Sequence, residues 1–150
     1  MTQLNCRILL VDDYPAHRLL LRRILEEAGA DVRTAEHGGV AVSLVFAAEG
    51  TERPYDLVIT DLDMPVMGGN TMLVALRRLG YQGPVIAMSA YDGGDIAQLC
   101  LEKGFDAFVE KTFASERLVP AVSRVLKARR GRGGEEDADE PESPGTPPRR

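Results

Sequence analysis

The chain predicts a doubly wound α/β domain: one open parallel sheet of five strands with five helices on its two faces. Three observations carry that prediction. Short apolar runs of strand length alternate with longer helical patterns, five times between residues 7 and 127. Three of those runs are apolar enough to be buried on both faces, as strands inside a parallel sheet are. Four of them lead straight into Asp12-Asp13, Asp61, Ser89 and Lys111, at the strand ends where open parallel sheets build their ligand sites.

Taken in order, Arg7-Ile-Leu-Leu-Val11 reads as the first strand, and Pro15 sets the first turn of a helix over 15–28 that Gly29 ends. Asp31-Val-Arg-Thr-Ala35 alternates, as a half-exposed edge strand does. A helix over 38–49 follows. Asp56-Leu-Val-Ile-Thr60 is the third strand, with a helix over 69–79 behind it. Pro84-Val-Ile-Ala-Met88 is the fourth strand, with a helix over 93–103. Asp106-Ala-Phe-Val-Glu110 is the fifth strand. The last helix, 115–127, repeats Leu118, Val122, Val125 and Leu126 at helical spacing. No internal repeat interrupts the series. From Arg129 the chain turns to arginine and glycine, then acids, then proline, serine and glycine, a composition that cannot bury apolar area. The expected division is a domain over 1–127 and a disordered tail over 128–150, serving as a linker, a solubility segment or a docking segment.

The formal charge of −5 (18 Lys and Arg against 23 Asp and Glu) leaves no basic stripe for a polyanion, so a nucleic-acid binder is disfavoured. The two cysteines, Cys6 and Cys100, stand far apart behind an N-terminus without a charged and apolar leader, which fits reduced thiols and a cytoplasmic location. The longest near-apolar stretch, Val40 to Ala48, falls well short of the roughly 20 residues a membrane helix requires. His17 and His37 have no partners at zinc spacing and read as surface or groove residues.

If the sheet brings the strand ends together, Asp12, Asp13, Asp61 and Asp63 share one small cleft. Two like charges ~5 Å apart repel by about 3 kcal/mol at an effective dielectric near 20, so such a cluster calls for a cation or protons. An all-oxygen ligand set that retains waters suits Mg²⁺ or Mn²⁺. A carboxylate beside a bound metal, with a lysine and a hydroxyl at hand, is a site for making an acyl phosphate. Asp61 would attack in line, the metal and Lys111 would neutralise the equatorial oxygens, and Ser89 would donate a hydrogen bond. The nucleophile is already ionised, so no general base is required.

Val11-Asp12-Asp13, the run Thr60-Asp61-Leu62-Asp63-Met64-Pro65-Val66-Met67-Gly68-Gly69, Met88-Ser89-Ala90 and Val109-Glu110-Lys111 together resemble, in order and spacing, the receiver domain of two-component response regulators. The resemblance covers about residues 5–127. It implies the flavodoxin-like receiver fold with strand order 2-1-3-4-5, and Asp61 as phosphoacceptor. It further implies that Asp13 binds the metal directly, Asp12 mainly through water, and Asp63 through its backbone carbonyl. Ser89 is then the switch hydroxyl, Lys111 the phosphate-pairing lysine and Phe108 the switch aromatic, although Phe108 also reads as ordinary half-buried apolar surface. The phosphoryl group would come from a histidine kinase or a histidine phosphotransfer protein. Output would pass to a protein partner through the fourth helix, fifth strand and fifth helix, or the phosphoryl group would pass along a relay. The expected module stands alone as a monomer or phosphorylation-dependent dimer. Apart from its own phosphotransfer and autodephosphorylation it is not an enzyme.

Thr112 stands where the family usually has proline after its lysine, and Gly68 replaces a frequent acidic residue. Asp63 adds charge at the cleft mouth, either as a solvated loop acid or as a modulator of phosphate lifetime. Tyr91 either shields the acyl phosphate or covers the sheet edge. Two other functions compete. Asp61-Leu-Asp63 also resembles the Asp-x-Asp core of haloacid dehalogenase-type phosphatases, though those place it on their first strand. A degenerate, constitutively signalling receiver is the other alternative.

Overall fold

The first strand, β1 (Arg7–Val11), sits inside the sheet with parallel neighbours on both sides, which is why its sequence is apolar without alternation. The computed structural model describes residues 3–65, 67–90 and 94–139, with residues 131–139 described through the backbone alone. After β1 come α1 (Pro15–Glu27), β2 (Asp31–Ala35), α2 (Gly38–Ala48), β3 (Leu57–Asp61), α3 (Gly69–Arg78), β4 (Val85–Ser89), α4 (Gly94–Lys103) and β5 (Ala107–Glu110). A single 3-10 turn over Lys111–Phe113 leads into α5 (Ala114–Asp139). The strand order is β2-β1-β3-β4-β5, all parallel, as the resemblance implied.

Alternate residues of each strand enter one of two cores. Ile8, Leu10, Ile59, Ile86 and Met88 pack with Leu21 and Leu25 of α1 and Leu118 and Val122 of α5. Leu9, Val11, Val58 and Ala87 pack on the other face with Val45 of α2, Met72 and Leu76 of α3, and Cys100 of α4. Each fully buried leucine or isoleucine stabilises the fold by about 1.5–3 kcal/mol relative to exposure. β2 lies at one edge of the sheet; Asp31, Val32 and Arg33 are exposed, buried and exposed as alternation predicts, but Thr34 is half-buried and Ala35 buried, so the alternation stops there.

Three strands, β3, β4 and β5, begin one residue later than expected, and in β3 and β5 the residue left out is an aspartate that does another job. The Asp56 carboxylate accepts from the Arg7 backbone N–H at 2.7 Å, and that of Asp106 accepts from the Val85 N–H at 2.9 Å. At the other end of the chain, α5 does not stop at 127. Residues 128–139, assigned from sequence to the disordered tail, continue the helix to Asp139. Adding a residue to a formed helix fixes few dihedrals per hydrogen bond gained, so the extension follows by propagation from the packed part of α5 although Gly131, Gly133 and Gly134 are poor helix formers. Among the residues whose side chains are described, the last buried one is Leu126. Residues 140–150 and Tyr91 lie outside the described residues. No described helix is long and apolar enough to cross a membrane.

Candidate functional site at the carboxyl end of the sheet

The strand order reverses at β1, which has β2 on one side and β3 on the other, and open α/β sheets bind ligands in the crevice at such a reversal. The acids stand at that point. Asp12 follows β1 and is fully buried; its Oδ1 accepts from the Tyr14 N–H at 2.9 Å, folding the chain toward α1. Arg18, one turn into α1, donates to the Asp12 carbonyl at 2.7 Å. Asp13 is exposed at the mouth. Asp61 ends β3 and is 5% exposed, with Oδ1 accepting from the Asp63 N–H at 3.1 Å.

The loop after Asp61 doubles back against its own strand end, and Gly69 allows it. A Cβ there would come within 2.8 Å of the Asp61 carbonyl oxygen, a distance that side-chain carbons do not tolerate against backbone. That is the physical content of Gly69 in the motif.

Lys111 comes from the far side, 50 residues after Asp61. Its Nζ donates to Asp61 Oδ2 at 2.8 Å and lies 2.8 Å from Asp12 Oδ2. No peptide bond among the described residues is cis, and with Thr112 in place of proline the chain simply enters the 3-10 turn. Burial drives the Asp61 carboxyl above its ordinary value, more strongly than the Lys111 hydrogen bond lowers it. Burial also acts to lower the Lys111 ammonium, but the hydrogen bonds and charges of Asp12 and Asp61 outweigh it and leave the ammonium raised.

One ammonium does not balance the site. Ligand atoms of Asp12, Asp13 and Asp61 lie within 4.8 Å of one another. The buried Asp12 Oδ2 has the Lys111 ammonium as its partner at 2.8 Å, and it shares that one cation with Asp61. A buried carboxylate oxygen in that condition is costly, and a hard cation is the partner that oxygen-only donors suit. The residues present therefore fit a divalent ion. Asp63 contributes differently: its side chain turns away from the three-acid cluster and accepts from Ser89 Oγ at 3.1 Å. It is tethered rather than freely solvated. Ser89 ends β4 and is buried, and Phe108 is half-buried on β5, packed against the core under α2, α3 and α4.

Sequence reasoning missed the two histidines' contacts. His37 caps α2, its Nδ1 accepting from the Gly39 and Val40 N–H groups at 3.2 and 3.4 Å; a polar residue directly before a new helix was the available signal. His17 Nδ1 lies 3.3 Å from Lys111 Nζ, across 94 residues of sequence, where no local pattern announces it.

The sheet order and the acid and lysine rim define a doubly wound domain with its chemistry at the topological reversal. The response regulator receiver domain family matches residues 8–123, and the chain belongs to that family of signalling modules. It is 31% identical over 142 residues to the sensor histidine kinase GacS of Pseudomonas protegens, covering 91% of this chain and 15% of GacS. It is 35% identical over 120 residues to the two-component response regulator ORR41 of Oryza sativa subsp. japonica, covering 79% of this chain and 92% of that protein. Among solved structures, the receiver domain of the Francisella response regulator 1452 superposes with TM-score 0.73 at 28% identity, over 83% of this chain and 99% of that one. The receiver domain of the histidine kinase CKI1 from Arabidopsis thaliana, complexed with Mg²⁺ and BeF₃⁻, gives 0.66 at 25% identity, over 82% and 90%.

Proposed function

We propose that this receiver accepts a phosphoryl group on Asp61 from a histidine kinase or a histidine phosphotransfer protein, with Mg²⁺ or Mn²⁺ as cofactor. The observation that carries this reading is the Asp61 carboxylate, buried at a strand end, held by Lys111 at 2.8 Å and flanked by two further acids. A carboxylate oxygen of Asp61 attacks phosphorus in line. The donor's P–N bond breaks, its electron pair stays on the imidazole nitrogen, and an acyl phosphate remains on Asp61. Lys111 pairs with the equatorial phosphoryl oxygens. Asp13 directly, Asp12 mainly through water, and Asp61 and the Asp63 backbone carbonyl would hold the cation, which supplies neutralising charge to the phosphoryl group when bound. Ser89 turns from Asp63 to the phosphoryl group, draws the loop after β4 inward and frees room for Phe108 to move. The α4, β5 and α5 face reads the change, either toward a protein partner or as a step in a relay.

In this reading the functional unit ends near 127 and the remainder is a tail. The receiver works in the cytoplasm as a monomer or phosphorylation-dependent dimer, with no enzymatic activity of its own beyond phosphotransfer and autodephosphorylation. Intact mass after acetyl phosphate and Mg²⁺ tests it. One acid-labile phosphoryl group is expected on the wild type and none on Asp61→Asn; an unmodified wild type, or a variant modified equally, removes Asp61 from the role. Turnover of phosphomonoesters that is lost in Asp63→Asn would instead favour the phosphatase alternative.

A further inference from the structure

Lys111 makes a third contact outside the acid cluster. Its Nζ lies 3.3 Å from Nδ1 of His17, in the first turn of α1. An ammonium has donors only, so the contact is a hydrogen bond in the tautomer that leaves Nδ1 free to accept. The exposed ring rests against Tyr14, with centroids 4.7 Å apart and planes inclined at 58°. Three elements thus grip one ammonium: Asp12 after β1, Asp61 on β3, and His17 on α1.

We propose that His17 is a positioning residue that holds Lys111 in place for phosphoryl transfer to Asp61. The inference rests on the reading of Asp61 as phosphoacceptor. A lysine side chain has about 2 kcal/mol of rotamer entropy to lose on being fixed, and the segment that carries this one continues into Thr112 rather than a stiff proline. As a phosphoryl dianion arrives, it competes with Asp12 and Asp61 for the same ammonium. His17 supplies an anchor that is not part of that competition: it accepts one N–H through a ring nitrogen and keeps the ammonium from swinging toward solvent. A carboxylate in its place would be a fourth acid beside the site and would draw Lys111 away from phosphate.

The test is the rate of phosphorylation of the full chain by acetyl phosphate with Mg²⁺, measured against donor concentration in four proteins. His17→Leu, which lacks an acceptor, should lower the maximal rate about twofold to tenfold while leaving the half-saturating donor concentration unchanged. His17→Asn should keep the wild-type rate, because its Oδ1 takes the place of Nδ1. His17→Glu should be slower than His17→Leu. A His17→Leu protein at the wild-type rate overturns the proposal. So does His17→Asn as slow as His17→Leu, since the ring packing on Tyr14 would then matter and not the acceptor. A wild type that takes up no phosphoryl group overturns the reading of Asp61 itself, and this proposal with it.

Discussion

The two ends of the sheet carry the same kinds of side chain and put them to different use. At the amino end, Asn5, Cys6, Arg7, Asp31, Glu52, Arg53 and Asp56 surround a cavity of about 400 Å³. Arg53 pairs with Asp31 at 2.5 Å, with the two side chains 68% and 59% exposed, and Arg7 donates to the Arg53 carbonyl while lying over the Tyr55 ring at 4.4 Å. At the carboxyl end, Asp12, Asp61 and Lys111 make ion pairs of 2.8 Å with side chains 0%, 6% and 12% exposed. Solvent separates the two. Exposed charges are screened and contribute little, whereas buried ones interact strongly and punish any imbalance. The amino end sets two arginines against three acids in the open, whereas the carboxyl end sets one ammonium against three acids, with Asp12 and Asp61 buried and Asp13 at the mouth. An imbalance that water does not relieve is a site prepared for a ligand.

The largest expected break in this comparison comes from Asp61→Asn, which should abolish phosphoryl uptake and raise stability at the same time. Burial raises the Asp61 carboxyl above its ordinary 3.8. Between that value and the raised one the folded chain binds more protons than the unfolded chain, so stability falls as pH rises through that window. Charging Asp61 therefore carries a cost in the folded chain, and an amide removes both that cost and the repulsion from Asp12. Thermal melts from mildly acidic to neutral pH should show a smaller decline in the variant and a higher midpoint at neutrality. A variant less stable than wild type at neutral pH would show that the Lys111 pair outweighs the desolvation of Asp61.

Next in size is Asp13→Asn. Loss even of an outer-shell partner costs metal affinity about 10–100-fold, so loss of a direct ligand should weaken Mg²⁺ by at least about tenfold in a calorimetric titration. Asp13 is the exposed member of the cluster, so the fold should not change. Unaltered affinity would take Asp13 out of the ligand set.

Much of this end of the molecule was legible from the chain because burial writes itself into sequence. β1, β3 and β4 are covered on both faces, so their runs are mostly apolar and their ends easy to find. Asp12, Asp13, Asp61, Ser89 and Lys111 stand at strand ends, and parallel topology gathers strand ends on one rim. What stayed hidden depends on side-chain direction. The turn of Asp63 toward Ser89 and the approach of His17 to Lys111 follow from how loops lie over the rim, which no periodicity encodes. The length of α5 was misread for another reason: its continuation has no apolar stripe, and the stripe was the signal being followed.

Gly69→Ala sharpens the role of the loop. Its Cβ would meet the Asp61 carbonyl oxygen at 2.8 Å and the Leu62 Cα at 3.1 Å, so the loop or the strand end must shift. Overpacking of this kind costs about 1–3 kcal/mol, which urea denaturation resolves, and Mg²⁺ affinity should drop with it because Asp61 belongs to the acid cluster. A stable variant with normal affinity would mean that the loop yields freely and does not fix the carboxylate.

The smallest effect should come from the other end. Arg53→Ala removes the exposed pair with Asp31 at the edge strand β2, and pairs of that exposure contribute about 0.2–1 kcal/mol. The expected outcome is a loss of that size in urea, shrinking as salt is added, with phosphorylation and Mg²⁺ binding at wild-type levels. The Arg53 carbonyl that Arg7 reaches is backbone and survives the substitution, so the loop before β3 keeps its main anchor. If Arg53→Ala instead slows phosphorylation, the amino end is coupled through the sheet to the rim. The contrast between a solvated, structural end and a buried, reactive one would then have to be redrawn along β2 and β1, the strands that join them.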